Sequence, residues 1–162
     1  MKYALIIITV LTIFSCKKKD GKFKLDKIIF HSSQCFGSCP IFHLEVNKDR
    51  FAYLFAETVH KTSSDYGLDK QRMGYFTGKI DTTNFNKIDS LIQEIGIDTV
   101  NYKKVICCDS PIYTIIIYHN GKRKYLKSMY PPKKMSWIIN ELYNICQKNE
   151  LKKTNKIFFI EK

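Results

Sequence analysis

The chain has 162 residues, 44 % of them hydrophobic and 14 % aromatic, with few Gly or Pro. This excludes a disordered, collagen-like or linker-rich polypeptide and leaves one domain with a core of its own. The formal net charge of +12 points to an anionic partner, and the N-terminus narrows which kind.

Met1 and Lys2 make a short positive start, and residues 3–14 are an almost unbroken apolar run. The run is too short to span a bilayer comfortably and suits the hydrophobic region of a signal peptide. It ends Ile13-Phe14-Ser15-Cys16, which resembles a bacterial lipobox, although Phe14 stands where a small or aliphatic residue is usual. The resemblance implies a signal peptide over residues 1–15, cleavage before Cys16, and lipidation of the Cys16 thiol and new amino group. The competing reading is an uncleaved anchor helix with a chance cysteine. Residues 16–26 carry Lys17, Lys18, Lys19, Lys22 and Lys24 and read as a solvated tether. Each Lys beside an anionic surface adds about 1 kcal/mol of attraction. The expected location is the bacterial cell envelope, with the protein membrane-anchored by lipid and facing the periplasm. The membrane is then one partner, and an anionic envelope component or a protein is another; nucleic acid is not expected there.

Residues 27–31 read as a strand. In residues 41–47, Phe42, Leu44 and Val46 alternate with His43 and Glu45; residues 47–50 are a turn signal. Residues 51–55 return with Phe51, Tyr53 and Phe55 on one face, which predicts a hairpin with matching apolar faces. Residues 57–72 are polar and read as loop or irregular edge, and 75–80 as a further strand. Asp81 is a candidate N-cap. Phe85, Ile88, Leu91, Ile92 and Ile95 follow at helical spacing, with Gly96 at C′.

Residues 112–118 are strongly β-forming. Asn120-Gly121 predicts a type I′ hairpin turn, opposing Ile116 to Tyr125 and Ile115 to Leu126. Pro132 suits the first position of a second helix, whose stripe is Met135, Ile138, Ile139, Leu142, Ile145 and Cys146. The basic tail, residues 148–162, turns apolar at 157–160, which pairs with a sheet edge or stays loose. The order predicts an α+β fold: an antiparallel β-sheet built from hairpins, with two amphipathic helices packed on one face.

Cys35-Phe36-Gly37-Ser38-Cys39-Pro40-Ile41-Phe42 resembles the CFGxCPxY signature of an uncharacterised bacterial envelope and lipoprotein family, domain of unknown function 6438. The Thr77-Gly78-Lys79-Ile80 helix entry, the Asp109-x-Pro111 strand start and the Tyr130-Pro131-Pro132 helix entry also look like that family. The resemblance covers about residues 27–147, the single domain. Two departures stand out: Arg50 lies where members usually carry Gly in the hairpin turn, and Phe42 replaces the common Tyr. The resemblance implies a fold and marks Phe36, Gly37, Pro40, Asp109 and Pro111 as motif positions. It brings no established activity.

Three chemistries compete at the cysteine stretch. Cys35 and Cys39 can form a structural disulfide that pins Phe36 and Gly37 into a turn, contributing at most about 2 kcal/mol. They can instead be a redox pair, although reactive dithiols favour a tighter spacing at a helix N-terminus. Or His31, Cys35, Cys39 and His43, four residues apart each, can ligate zinc. Cys107, Cys108 and Cys146 are candidates for a second disulfide, and with Cys16 set aside an odd thiol remains. Asp109 reads as a loop-holding carboxylate rather than a catalytic acid. Tyr118, Arg123, Tyr125 and Lys127 share a face of the second hairpin as a basic, aromatic strip. No nucleophile elbow, phosphate loop or HExxH motif occurs. The sequence therefore reads as a lipid-anchored, non-catalytic binding or accessory module that needs no cofactor. The alternatives are a thiol-disulfide oxidoreductase using Cys35 and Cys39, and a zinc-binding protein.

Overall fold

The computed structural model describes residues 23–62, 64–101, 109–148 and 150–162. The predicted Cys16 lipidation site and Cys107 and Cys108 lie outside the described residues. The elements run β1 (Leu25–Ser32), β2 (Ile41–Asn47), β3 (Phe51–Thr58), β4 (Gly74–Lys79), α1 (Thr82–Ile95), β5 (Tyr113–His119), β6 (Lys122–Ser128), α2 (Lys133–Gln147) and β7 (Lys152–Thr154). The strands form one seven-stranded sheet in the order β6-β5-β1-β2-β3-β4-β7, and every pairing is antiparallel. This is the α+β fold that the order of elements predicts.

Local chemistry sets the boundaries. Asp81 accepts a hydrogen bond from the Thr83 amide at the start of α1, and Gly96 closes the helix in the left-handed region at φ 66°. Asn120 and Gly121 both have positive φ, at 49° and 73°, so the type I′ turn forms. It produces the expected register of Ile115 with Leu126 and Ile116 with Tyr125. At the β2–β3 turn Arg50 takes φ 68°, the conformation for which Gly is the usual residue. Its guanidinium reaches the Ile80 carbonyl and the Thr82 hydroxyl, which tie the turn to the start of α1.

Both helices cover the same face. Ile88 and Ile92 of α1 and Met135, Ile138, Ile139, Leu142 and Ile145 of α2 pack on Ile28, Phe30, Phe42, Leu44, Val46 and Leu54. The α2 stripe is buried as its spacing predicts. Pro132 is the N-cap rather than the first helical residue; its carbonyl accepts from Met135 and Ser136.

Three expectations need correction. Phe51, Tyr53 and Phe55 do not face the core. Leu54 pairs with Leu44 and Ala52 with Val46, so the small residues sit under the helices and the rings point to the opposite, open face. Alternation is the same for both assignments, and helix packing decides it. Residues 157–160 neither pair with an edge nor stay loose. The edge strand is β7, on β4, and the segment after it crosses the open face. Cys146 is a buried free thiol rather than a disulfide partner; it sits in the core cluster with Leu54 and Leu151. Burial pushes its thiol well above the ordinary range.

Candidate functional site

The open face is built from transverse rows, one side chain per strand. One row runs Lys127, Thr114, His31, His43, Phe55, Tyr75 across β6, β5, β1, β2, β3 and β4. The next runs Tyr125, Ile116, Ile29, Glu45, Tyr53, Thr77. Beyond it, Arg123 faces Tyr118, which faces Lys27. The predicted strip of Tyr118, Arg123, Tyr125 and Lys127 is thus one end of a face that spans the sheet.

The β1–β2 register puts His31 opposite His43, and their Nδ1 atoms are 2.8 Å apart. His31 Nε2 lies 2.7 Å from the Glu161 carbonyl, and His43 Nε2 lies 3.0 Å from the Glu57 carboxylate. A carbonyl only accepts, so His31 donates from Nε2 and accepts at Nδ1 from His43. The other His43 nitrogen, Nε2, faces the Glu57 carboxylate. The result is a chain of hydrogen bonds from Glu57 to Glu161. Burial, with His43 and Lys162 adding to it, lowers the His31 pKa to about 4 against the pull of the Glu161 carbonyl.

Beside this pair opens a cavity of about 320 Å³, lined by His31, Ser33, Gln34, Thr114, Tyr125 and Lys127 among others. Gln34 and Ile41, which flank the cysteine loop in sequence, are part of that lining. Cys35 and Cys39 are disulfide-bonded, with Cα atoms 5.6 Å apart. Gly37 between them has φ 152°, which a side chain would strain. Phe36 is 87 % exposed, and its amide donates to the Asp109 carbonyl, so Asp109 holds the loop through its backbone. The Ser32 hydroxyl donates to the Pro40 carbonyl and accepts from the Phe42 amide. Ser33 and Ile112 exchange two bonds, which tie the strand start after Pro111 to the same loop.

This geometry answers the competing chemistries in part. The structure brings His31 and His43 together, but the two cysteines are bonded to each other and not to the histidine pair. Cys35 has no helix N-terminus behind it to stabilise a thiolate; a bend and then β2 follow.

The face carries a second set of residues that the sequence reading missed. Phe158 packs edge-on against Tyr53 and Tyr75, at 5.3 and 5.1 Å between ring centres. Three residues later the Glu161 carboxylate accepts from the Tyr118 hydroxyl and from Arg123 at 2.9 and 3.0 Å, with Lys27 at 3.8 Å. These partners, the Tyr118 bond first, hold the Glu161 carboxyl below the usual range. Ile29 and Ile116 lie on this face and are fully buried, between positions that Glu161 bridges. Local periodicity carries no signal for a contact between Glu161 and His31, and only the tail's apolar run hinted at a docked segment.

Fold and site together define a small α+β domain with helices on one sheet face and, on the other, an aromatic and polar surface crossed by the C-terminal segment. Residues 26–146 match the family described as Domain of unknown function (DUF6438). The match spans well over half of the chain, and the chain belongs to that family. No curated protein and no solved structure matches it.

Proposed function

We propose that the protein is a lipid-anchored bacterial envelope module that binds a ligand on its open sheet face and catalyses no reaction. The observation that carries the binding role is the cavity of about 320 Å³ lined by His31 and His43 and by Gln34 and Ile41, which flank the Cys35–Cys39 loop in sequence. Concave sites with an apolar lining and a few convergent polar groups are where ligands bind. Here Ile41, Ile112 and Tyr125 supply the lining, and Gln34, Thr114 and Lys127 the polar groups. The envelope role is supported by the apolar run ending in Ile13-Phe14-Ser15-Cys16, by the Lys-rich residues 16–26, and by the likeness of Cys35-Phe36-Gly37-Ser38-Cys39-Pro40 to the CFGxCPxY signature. A Cys35–Cys39 disulfide suits an oxidising compartment such as the periplasm.

The test is intact-mass and fractionation analysis of the full chain expressed in bacteria. The expected result is an N-terminus at Cys16 carrying diacylglyceryl and acyl mass, recovered with membranes, and release to the soluble fraction on Cys16→Ala. An unmodified Cys16 overturns the lipid anchor. Turnover of glutathione disulfide by wild type, lost on Cys35→Ser, overturns the non-catalytic role and makes the protein an oxidoreductase.

A further inference from the structure

We infer that the open face is a docking surface for an extended peptide of another protein, one that carries an aromatic residue and, three positions on, an acidic one; the chain's own residues 155–162 occupy it in cis. The inference rests on the binding-module reading above and names the ligand class.

The segment is read by side chains. After β7 ends at Thr154 the chain leaves the sheet edge and crosses the strands, and among the described residues no backbone–backbone hydrogen bond joins 155–162 to the sheet. Two stations hold it. The first is aromatic: Phe158 against Tyr53 and Tyr75, with Phe55 stacked on Tyr75 at 4.6 Å. The second is cationic and phenolic: Lys27, Tyr118 and Arg123 around the Glu161 carboxylate. At the second station His31 also donates to the Glu161 main-chain carbonyl, a contact that any residue supplies. The side chains on either side of Phe158 turn away, with Ile157 66 % and Phe159 98 % exposed. Side-chain pockets at two fixed positions, with the exposed positions free to vary, are how extended peptides are recognised.

Face and occupant are separable. Lys27, His31, Tyr53, Tyr75, Tyr118 and Arg123 all lie within the family-matched residues 26–146, whereas the occupying segment lies wholly outside them. The helix-covered core contains none of the segment, so vacating the face leaves that core intact. A cis occupant competes at high effective concentration and tunes the surface to partners that bind better than it does.

The probe is a fluorescein-labelled peptide with the sequence of residues 155–162, read by fluorescence anisotropy against the full chain purified in detergent. Wild type should bind it weakly. A chain carrying Phe158→Ala and Glu161→Ala, whose own segment no longer competes, should bind it at least ten-fold tighter. A probe with Ala in place of its Glu should lose at least ten-fold. If the double variant does not fold, the single variant Glu161→Gln gives the same direction at smaller amplitude. A folded variant that binds the probe no better than wild type overturns the proposal and makes the segment a fixed strap. A tail-exchanged wild-type dimer, seen by light scattering, overturns it too, because the occupant is then a second copy. Neither outcome touches the membrane fractionation, so this inference and the envelope reading fail separately.

Discussion

The two faces of the sheet differ in what covers them. One carries two helices whose buried stripes meet Ile28, Phe30, Phe42, Leu44 and Val46 in a single apolar cluster. The other carries one extended segment, held at an aromatic station and an ionic one, beside an open cavity. Hydrophobic burial is non-directional and scales with area, so the first face sets stability. Directional contacts among polar and aromatic groups are fewer and more easily exchanged, so the second face should contribute less to stability. The hairpin β2–β3 contributes to both through alternation alone: Leu54 points to the helices and Tyr53 to the segment.

The contrast breaks most visibly under truncation. Phe42→Ala, in the helix-covered core, should lose about 3–5 kcal/mol in urea unfolding, while Phe158→Ala should lose less than half of that. Equal losses would erase the distinction. Acid provides the next test. The His31 pKa of about 4 lies below its unfolded value of 6.5, so the unfolded chain binds the extra proton between those limits. The stabilisation is complete above pH 6.5, falls as pH drops toward 4, and is flat below that. About 2 kcal/mol is expected, reduced from the full conversion because the cavity admits water. Melting curves against pH should show this slope in wild type and lose it in His31→Gln.

Replacing Cys35 and Cys39 with Ser should cost at most about 2 kcal/mol. It should loosen the loop between Gln34 and Ile41 without exposing the helix face, so proteolysis should begin near Phe36. Glu161→Gln should cost about 1 kcal/mol or less, because the pair with Arg123 is solvent-accessible. High salt should abolish the difference between that variant and wild type.

The helix-covered face was largely legible. The stripes of α1 and α2, the Asp81 and Gly96 caps and the Asn120-Gly121 turn are local signals, and each acts within a few residues of where it is written. The open face was legible only in pieces. The spacing of His31 and His43 drew attention as a metal pattern, whereas strand register makes them hydrogen-bond partners. Tyr118 and Arg123 read as a surface strip because their partner, Glu161, is far along the chain. Phe51, Tyr53 and Phe55 looked like core because bulky rings usually are. Only the packing of Ala52 and Ala56 beneath the helices reveals the other side.

Independence of the two faces is open to one direct measurement. A 4-fluorophenylalanine at position 158, followed by ¹⁹F NMR through a urea titration, reports the segment, while far-UV circular dichroism of the same samples reports the sheet. Two transitions are expected, with the segment leaving its aromatic station well before the sheet unfolds. A single coincident transition would make the segment part of the core and contradict the division of labour between the faces.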